Sequence, residues 1–437
     1  MLYFRSIMRA VKTFSVPQND DLPERLLHWA SQDSVSCLLT SNAHKSRYGR
    51  FELLLGVGVK TDLNCSTGTA FQQLSEYRRQ TRDWILGFLT YDLKNEVEQL
   101  KSDNPDALYF PDLYFFQPLK LVKLTVEGLQ FLYLPEVSNE IESDYETIFS
   151  AAFQDLQTEA LETPKIKVRF NKDAYCAQVS QMLEEIKRGT IYEANFCQEF
   201  YAEAKINPIK SFLKLNAMSR APFAAYFRLG EQYALCSSPE RYLQKAGITL
   251  ISQPIKGTSR RGQTPEEDLK LKQALENDPK ERSENIMITD LVRNDLSRVA
   301  SKGSVQVKEL CRIYTFEQVH QMITTVSAEI SAGTDPVLCL KHTFPMGSMT
   351  GAPKISAMQI IDRLENRKRG LYSGSIGYFT PEDDFDFNVV IRSILYNAEQ
   401  KYLSFTVGSA ITAQAIPENE YDECLIKAKA MRKTLES

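Results

Sequence analysis

Apolar residues arrive in this chain as short runs closed by glycine or proline, and that punctuation limits what it can fold into. Residues 50–59 read Arg-Phe-Glu-Leu-Leu-Leu-Gly-Val-Gly-Val, and residues 84–92 read likewise as a strand. Shorter β segments follow at 113–116, 119–124 and 129–134, separated by Pro118 and Gly128 and closed by Pro135. Helices come between and after the strands. Asn171 is placed to cap one in which Tyr175, Val179, Met182 and Ile186 recur at helical spacing before Gly189. The alternating stretch 191–201 then reads as a strand, as do 224–228 and 233–236. No window approaches the roughly 20 apolar residues of a membrane span.

The 437 residues have room for two or three ordinary domains or one large two-part fold. A net charge of −4, mixed in sign along the chain, gives neither a nucleic-acid surface nor a membrane-binding face. The first ten residues interrupt their apolar side chains with arginines and lack the apolar core of an export signal. Eight scattered cysteines, with no Cys-x-x-Cys, then read as free thiols in a reducing compartment, so a cytoplasmic protein is expected. Four histidines share no ligand spacing. Residues 140–167 are acidic and polar, a surface helix or linker, and the expected division falls there: 1–165 and 166–437.

Pro254-Ile-Lys-Gly-Thr-Ser-Arg-Arg-Gly262 is the chemically suggestive stretch. Lys256 stands between the end of an apolar run and a glycine turn that lets backbone approach a ligand. Half desolvated there, its ammonium can lose a proton and become a nucleophile. Taken alone, the nine residues fit a solvated turn lysine as well. Ser237-Ser-Pro-Glu240 is a turn that projects Glu240, as many exposed turns do. Asp278-Pro279 opens a helix whose Ile288, Leu291 and Val292 face a core, with Glu284 one turn earlier. A last helix begins near Pro417. Glu420, Glu423 and Lys427 share one of its sectors, and Tyr421, Leu425 and Ala428 take the buried side. That stripe is an ion-pair face or a ligand set. Met346 to Lys354 fails the P-loop spacing and leaves a glycine-rich turn feeding a helix at Pro353, with Ile355, Met358 and Ile361 (or Ile360) as its apolar side. Arg392, late in an apolar strand, calls for an anion, and its planar fork suits a carboxylate.

These segments resemble the chorismate-utilising enzymes, the family of anthranilate synthase component I and aminodeoxychorismate synthase component I. The resemblance rests on Pro254 to Thr258, Ser238 to Arg241, residues 277–296, Gly347 to Lys354, Arg369 to Gly374, Val390 to Ser393 and the stripe from Glu420 to Lys427. It is dense from about 168 onward and thin before, where Gly87 to Asp92 carries it. It implies an α+β fold: a two-lobed sandwich of stacked, roughly orthogonal antiparallel or mixed sheets flanked by helices, with the site in the cleft. The anthranilate branch has alanine where this chain has Lys256, so lysine implies the aminodeoxychorismate branch. That branch joins ammonia, supplied by a separate glutamine amidotransferase subunit (component II), to chorismate. The resemblance further implies Lys256 as a covalent nucleophile and Glu240 as the acid. Gly257, Thr258, Ser348, Tyr372, Arg392, Gly408 and Lys427 would bind substrate, Arg392 holding the enolpyruvyl carboxylate. Mg²⁺ would be held by Glu284, Glu420 and Glu423. Gly408, following a strand at 403–407, would offer backbone N–H groups beside the ligand.

Two positions depart from the family pattern. Relatives commonly place a catalytic histidine where this chain has Gln321, with His320 one residue earlier; neighbours point different ways, so His320 does not simply replace it. Gln321 can donate a hydrogen bond but cannot shuttle a proton. Ala410 stands where a second glycine is usual. At Glu193 the isochorismate-forming relatives carry a water-activating lysine, so water is not the expected attacking group here. Anthranilate synthase component I is the competing enzyme reading. A catalytically impaired chorismate- or tryptophan-binding subunit is the competing reading of another class.

Overall fold

The computed structural model describes residues 9–16, 21–44, 47–150 and 162–436. Twenty strands among them are joined by antiparallel ladders. Two long strands, Leu53–Cys65 and Leu113–Thr125, turn this ladder into two arms. They pair along their whole length, with a register shift between Val59 and Thr61, beside Gly58 at φ +70°. A bulge at this point bends the pair and carries it from one sheet into the other. Pro118 does not break the strand as its sequence suggests. It falls at that shift and in the gap between 113–116, which pair with Ile85–Leu89, and 120–125, which pair with Gly128–Tyr133. The ladder is already interrupted there, so a missing N–H costs little.

The first arm runs from Leu53–Cys65 through Val35–Thr40, Phe223–Leu229, Gln232–Ser238, Ser393–Asn397 and Tyr402–Thr412 to Glu193–Glu203. The second leaves by Ile85–Leu89 and runs through Ser375–Phe379, Phe385–Asn388, Arg241–Ala246 and Thr249–Gln253 to Val319–Glu329. Val319–Glu329 also carries Ile255–Arg260 and, on its other side, Gln306–Thr315. Strands from either side of residue 165 therefore pair directly, Val35–Thr40 with Phe223–Leu229 and Ile85–Leu89 with Ser375–Phe379.

Alternation along the first arm feeds two cores. Cys37, Leu54, Ala225 and Phe227 point into the cluster shared with the second arm. Their neighbours Leu38, Leu53, Leu55, Ala224 and Tyr226 point to the opposite face, where helices Leu22–Ala30, Lys172–Lys187, Pro208–Ser219 and Pro417–Glu436 cover them. A sheet buried on both faces needs such unbroken apolar strands.

The helices begin where their caps sit. Asn171 Oδ1 accepts the Ala174 N–H at 2.9 Å, and Tyr175, Val179 and Met182 are buried below. Asp278 accepts the N–H groups of Lys280 and Glu281 ahead of helix Pro279–Ser297. Two expected core residues lie towards the surface instead. Leu425 is 36% exposed, and Cys424 is buried in its stead. Ile355 is 42% exposed, and Ile360 joins Met358 and Ile361 on the buried side of Lys354–Leu364. Of the acidic stretch 140–167, Ile141–Phe149 is a helix and 151–161 lie outside the described residues. No helix among the described residues is long and apolar enough to cross a membrane.

Candidate active site

A cavity of about 530 Å³ opens between the two arms, and every residue singled out above as catalytic, substrate-binding or metal-binding lines it. The second arm brings Lys256, Gly257 and Thr258 on strand Ile255–Arg260 and Gln321 on Val319–Glu329. The first arm brings Gly408 and Ala410. Helix Pro279–Ser297 adds Lys280, Glu281 and Glu284, and the C-terminal helix adds Glu420, Glu423 and Lys427. Glu240, Ser348, Tyr372 and Arg392 enter on connecting turns.

Gly257 is required twice over. Its backbone is left-handed at φ +88°, and a Cβ would lie 3.1 Å from Glu281 Oε2 and 3.3 Å from Leu275 Cδ1. The strand bulges between Ile255 and Thr258 at this glycine, which aims Lys256 into the cleft. Behind it, Asn285 donates through Nδ2 to the Met322 carbonyl at 3.2 Å and, at 3.5 Å, towards that of Lys256.

The Lys256 side chain is only 12% exposed and donates to Glu193 Oε1 at 2.9 Å. Burial by itself lowers its pKa, but Glu193, Glu284 and Glu240 outweigh burial and hold it above the ordinary lysine value. The expectation that desolvation frees this amine of its proton is thus corrected. Lys256 is held as an ammonium, because the strand that begins at Glu193 places that side chain against it.

Glu240 behaves in the opposite sense. It is 4% exposed, accepts the Ser348 hydroxyl at 2.7 Å, and burial pushes its pKa up to about 7 despite Ser348 and Lys256. A carboxyl so tuned carries a transferable proton near neutrality. Ser348 sits on a one-turn 3-10 helix at Gly347–Met349. The following Gly351-Ala352 pairs with Glu193-Ala194, so the glycine-rich turn also anchors Glu193. A Cβ on Gly351 would stand 2.2 Å from the Glu193 carbonyl oxygen.

Around the other wall the charges are dense. Burial raises Glu284 to about 7, with Glu193 and Glu281 adding to it, and its Oε1 has no hydrogen-bond donor. Burial raises Glu420, whose carboxylate takes the Ser409 hydroxyl. Burial works to raise Glu423 too, but Lys427, Lys280 and Lys256 bring it below its usual range. Lys427 pairs with Glu423 and donates to the Gly408 carbonyl at 2.9 Å. Lys280 loses some affinity for its proton to burial, yet Glu284, Glu420, Glu281 and Glu423 raise it. As these carboxylates stand, no group of three His, Cys, Asp or Glu among the described residues is gathered closely enough to hold a metal ion. Their oxygen chemistry, and Glu284 Oε1, which accepts no hydrogen bond and has the Lys280 ammonium 3.8 Å away, nonetheless suit a hard divalent cation.

Arg392 does not lie within a strand as expected. It precedes Ser393–Asn397 with φ +53°, a conformation that turns its side chain into the cleft. Among the described residues its guanidinium has no hydrogen-bond partner, and burial lowers its pKa. Such a desolvated fork is a receptor for a carboxylate. Gly408 is not beyond a strand but inside Tyr402–Thr412, opposite Cys197. A Cβ there would stand 2.6 Å from Asn195 Oδ1, so the glycine makes room for Asn195 at the cavity wall.

Gln321 faces the cavity with Oε1 unpartnered, while His320 is fully buried on the opposite side of the strand. There His320 Nε2 meets Asp268 Oδ1 at 3.0 Å and Nδ1 meets the Thr315 hydroxyl at 3.0 Å. His320 is structural. Asn195, Lys280 and Glu281 were not foreseen at the site. The spacing of Lys280 and Glu281 from Glu284 on one helix was the available signal for two of them.

The sequence pattern of the chorismate binding enzymes matches residues 30–433. An aminodeoxychorismate synthase of Streptomyces griseus is 36% identical over 372 residues, 81% of this chain and 50% of that protein. This chain thus spans about half the length of that relative. The aminodeoxychorismate synthase component 1 of Bacillus subtilis is 33% identical over 80% of this chain and 76% of its own. Relatives named anthranilate synthase component 1 match at 30–31% identity. Among solved structures, anthranilate synthase component I from Streptococcus pneumoniae superposes with a TM-score of 0.78 at 24% identity, covering 89% of this chain and 93% of that one. The fold is that of anthranilate synthase component I.

Proposed function

The chain belongs to the chorismate binding enzyme family, and on that premise we propose that it aminates chorismate as component I of an aminodeoxychorismate synthase. The observation that carries this reading is one cleft holding a buried lysine and a buried carboxyl tuned to about 7. Chorismate is a dicarboxylate, and the unpaired Arg392 fork would take its enolpyruvyl carboxylate. Mg²⁺, held by Glu284, Glu420 and Glu423, would supply the positive charge that a second carboxylate needs among those acidic groups.

In the reaction, the neutral amine of Lys256 bonds to C2, the ring double bond shifts, and the C4–O bond breaks. Glu240 gives its proton to the departing hydroxyl, which leaves as water. Ammonia then bonds to C4, the double bond shifts back, and the C2–N bond breaks to return Lys256. The proton shed by the new amine restores Glu240. Ammonia would reach the cleft free or from a separate glutamine amidotransferase subunit, and the product would serve para-aminobenzoate and folate synthesis.

The relatives named anthranilate synthase component 1 favour a second reading, and product identity separates the two. The chain is incubated with chorismate, Mg²⁺ and ammonium, with and without an aminodeoxychorismate lyase. Para-aminobenzoate only when the lyase is present supports amination at C4. Anthranilate formed without the lyase overturns it, and no turnover at all points to a binding subunit.

A further inference from the structure

Lys256 is held as an ammonium by the acidic groups around it, yet an ammonium has no lone pair with which to attack a ring carbon. Something must take its proton before it can attack. The candidates are the carboxylates that face it: Glu193 from the strand behind it, Glu284 from helix Pro279–Ser297, and Glu240 from the turn after Ser238. Glu281 and Glu423 lie farther along the same walls. Glu240 is engaged by Ser348, and its proton is committed to the leaving hydroxyl. Glu284 makes no ion pair with Lys256 among the described residues; its neighbour within 4.0 Å is Lys280. Glu193 alone is in contact. Its Oε1 lies 2.9 Å from Nζ, the residue is 1% exposed, and its Oε2 is buried with no hydrogen-bond partner.

We propose that Glu193 is the proton acceptor that converts Lys256 from ammonium to amine. It does not line the cavity, so it acts through Lys256 as a positioning residue. The transfer is internal and balanced: the Nζ–H bond breaks, a carboxyl O–H forms, and ammonium plus carboxylate become amine plus carboxylic acid. The pair as a whole gains and loses no proton. Expulsion of Lys256 in the last step lets the same proton return. The direct contact at Oε1 gives the proton its path, and Oε2 accepts no other hydrogen bond that would compete for the carboxylate.

The inference rests on the reading of Lys256 as nucleophile, so its test must fail separately from that one. It is a pH profile of kcat/KM for chorismate at a constant concentration of unprotonated ammonia, for the wild type, Glu193→Gln and Glu193→Asp. Because the transfer stays within the pair, the wild type should show no rising alkaline limb. Glu193→Gln must lose the Lys256 proton to solvent. Its rate should fall about 10²-fold or more near neutral pH, the usual range for loss of a proton acceptor, and climb towards the wild type as pH rises. Glu193→Asp keeps a carboxylate and should keep the wild-type profile, without a rising alkaline limb, at a reduced rate. A Glu193→Gln profile parallel to the wild type, or a Glu193→Asp profile as steep as that of Glu193→Gln, overturns the assignment. If Lys256→Ala retains the wild-type rate with ammonia, it is the covalent reading that fails instead.

Discussion

Glu240 offers a stability measurement whose size and sign follow from its burial. Its carboxyl is moved from the ordinary 4.5 to about 7 in the folded chain, chiefly by burial. The folded value lies above the unfolded one, so the contribution to stability is complete below about pH 4.5 and is lost as pH rises through about 7. At 1.36 kcal/mol for each factor of ten, the full loss is about 3 kcal/mol, of which about 2 kcal/mol falls between about pH 5.5 and pH 8. Glu240→Gln keeps the shape and an acceptor for Ser348 but cannot ionise. The difference in unfolding free energy between Glu240→Gln and the wild type should therefore move by about 2 kcal/mol in favour of the variant over that range. Glu284, also raised to about 7, is present in both proteins and cancels. Urea unfolding of the two proteins at several pH values reads the difference directly. A difference that stays constant with pH would refute the buried, proton-holding Glu240, and with it the source of the leaving group's proton.

Arg392→Ala should raise KM for chorismate about ten- to a hundredfold while changing kcat less, the scale of about 1.5–3 kcal/mol for a charge-assisted hydrogen bond; an unchanged KM removes it as the carboxylate receptor. His320→Ala should lower stability by about 1–3 kcal/mol by orphaning Asp268 and Thr315, with kcat/KM unaltered in the folded fraction, whereas a loss of kcat would restore a catalytic role. Gly257→Ala should cost about 1–3 kcal/mol in thermal unfolding because of its left-handed backbone and the Glu281 contact, and a neutral effect would show that the bulge is not fixed.

Much of this was legible because it is local. The Asn171 and Asp278 caps, the helical recurrence of Tyr175, Val179 and Met182, and the sector holding Glu420, Glu423 and Lys427 depend on spacing within one element. The expected residues of the cleft meet because motifs on separate strands and helices converge, and the resemblance had already gathered them. What escaped reading is set by distant contact. Nothing near Val35 announces that it pairs opposite Leu229, because register is fixed by burial of whole strand faces. Pro118 reads as a break, and only the neighbouring strands reveal that it sits where the ladder already stops. The charge of Lys256 was missed for the same reason: Glu193 lies 63 residues away, and its contact decides the protonation state. At Gln321 and His320, by contrast, strand alternation sufficed to say that neighbours face opposite ways, and they do.

The most direct measurement exposes the chain to chorismate without ammonia, quenches it in acid and weighs the intact protein. A gain equal to chorismate less one water, mapped to the peptide containing Lys256 and absent from Lys256→Ala, is the expected result. A wild-type chain that aminates chorismate when ammonia is added, yet never shows that gain without it, contradicts the claim that this lysine opens the reaction.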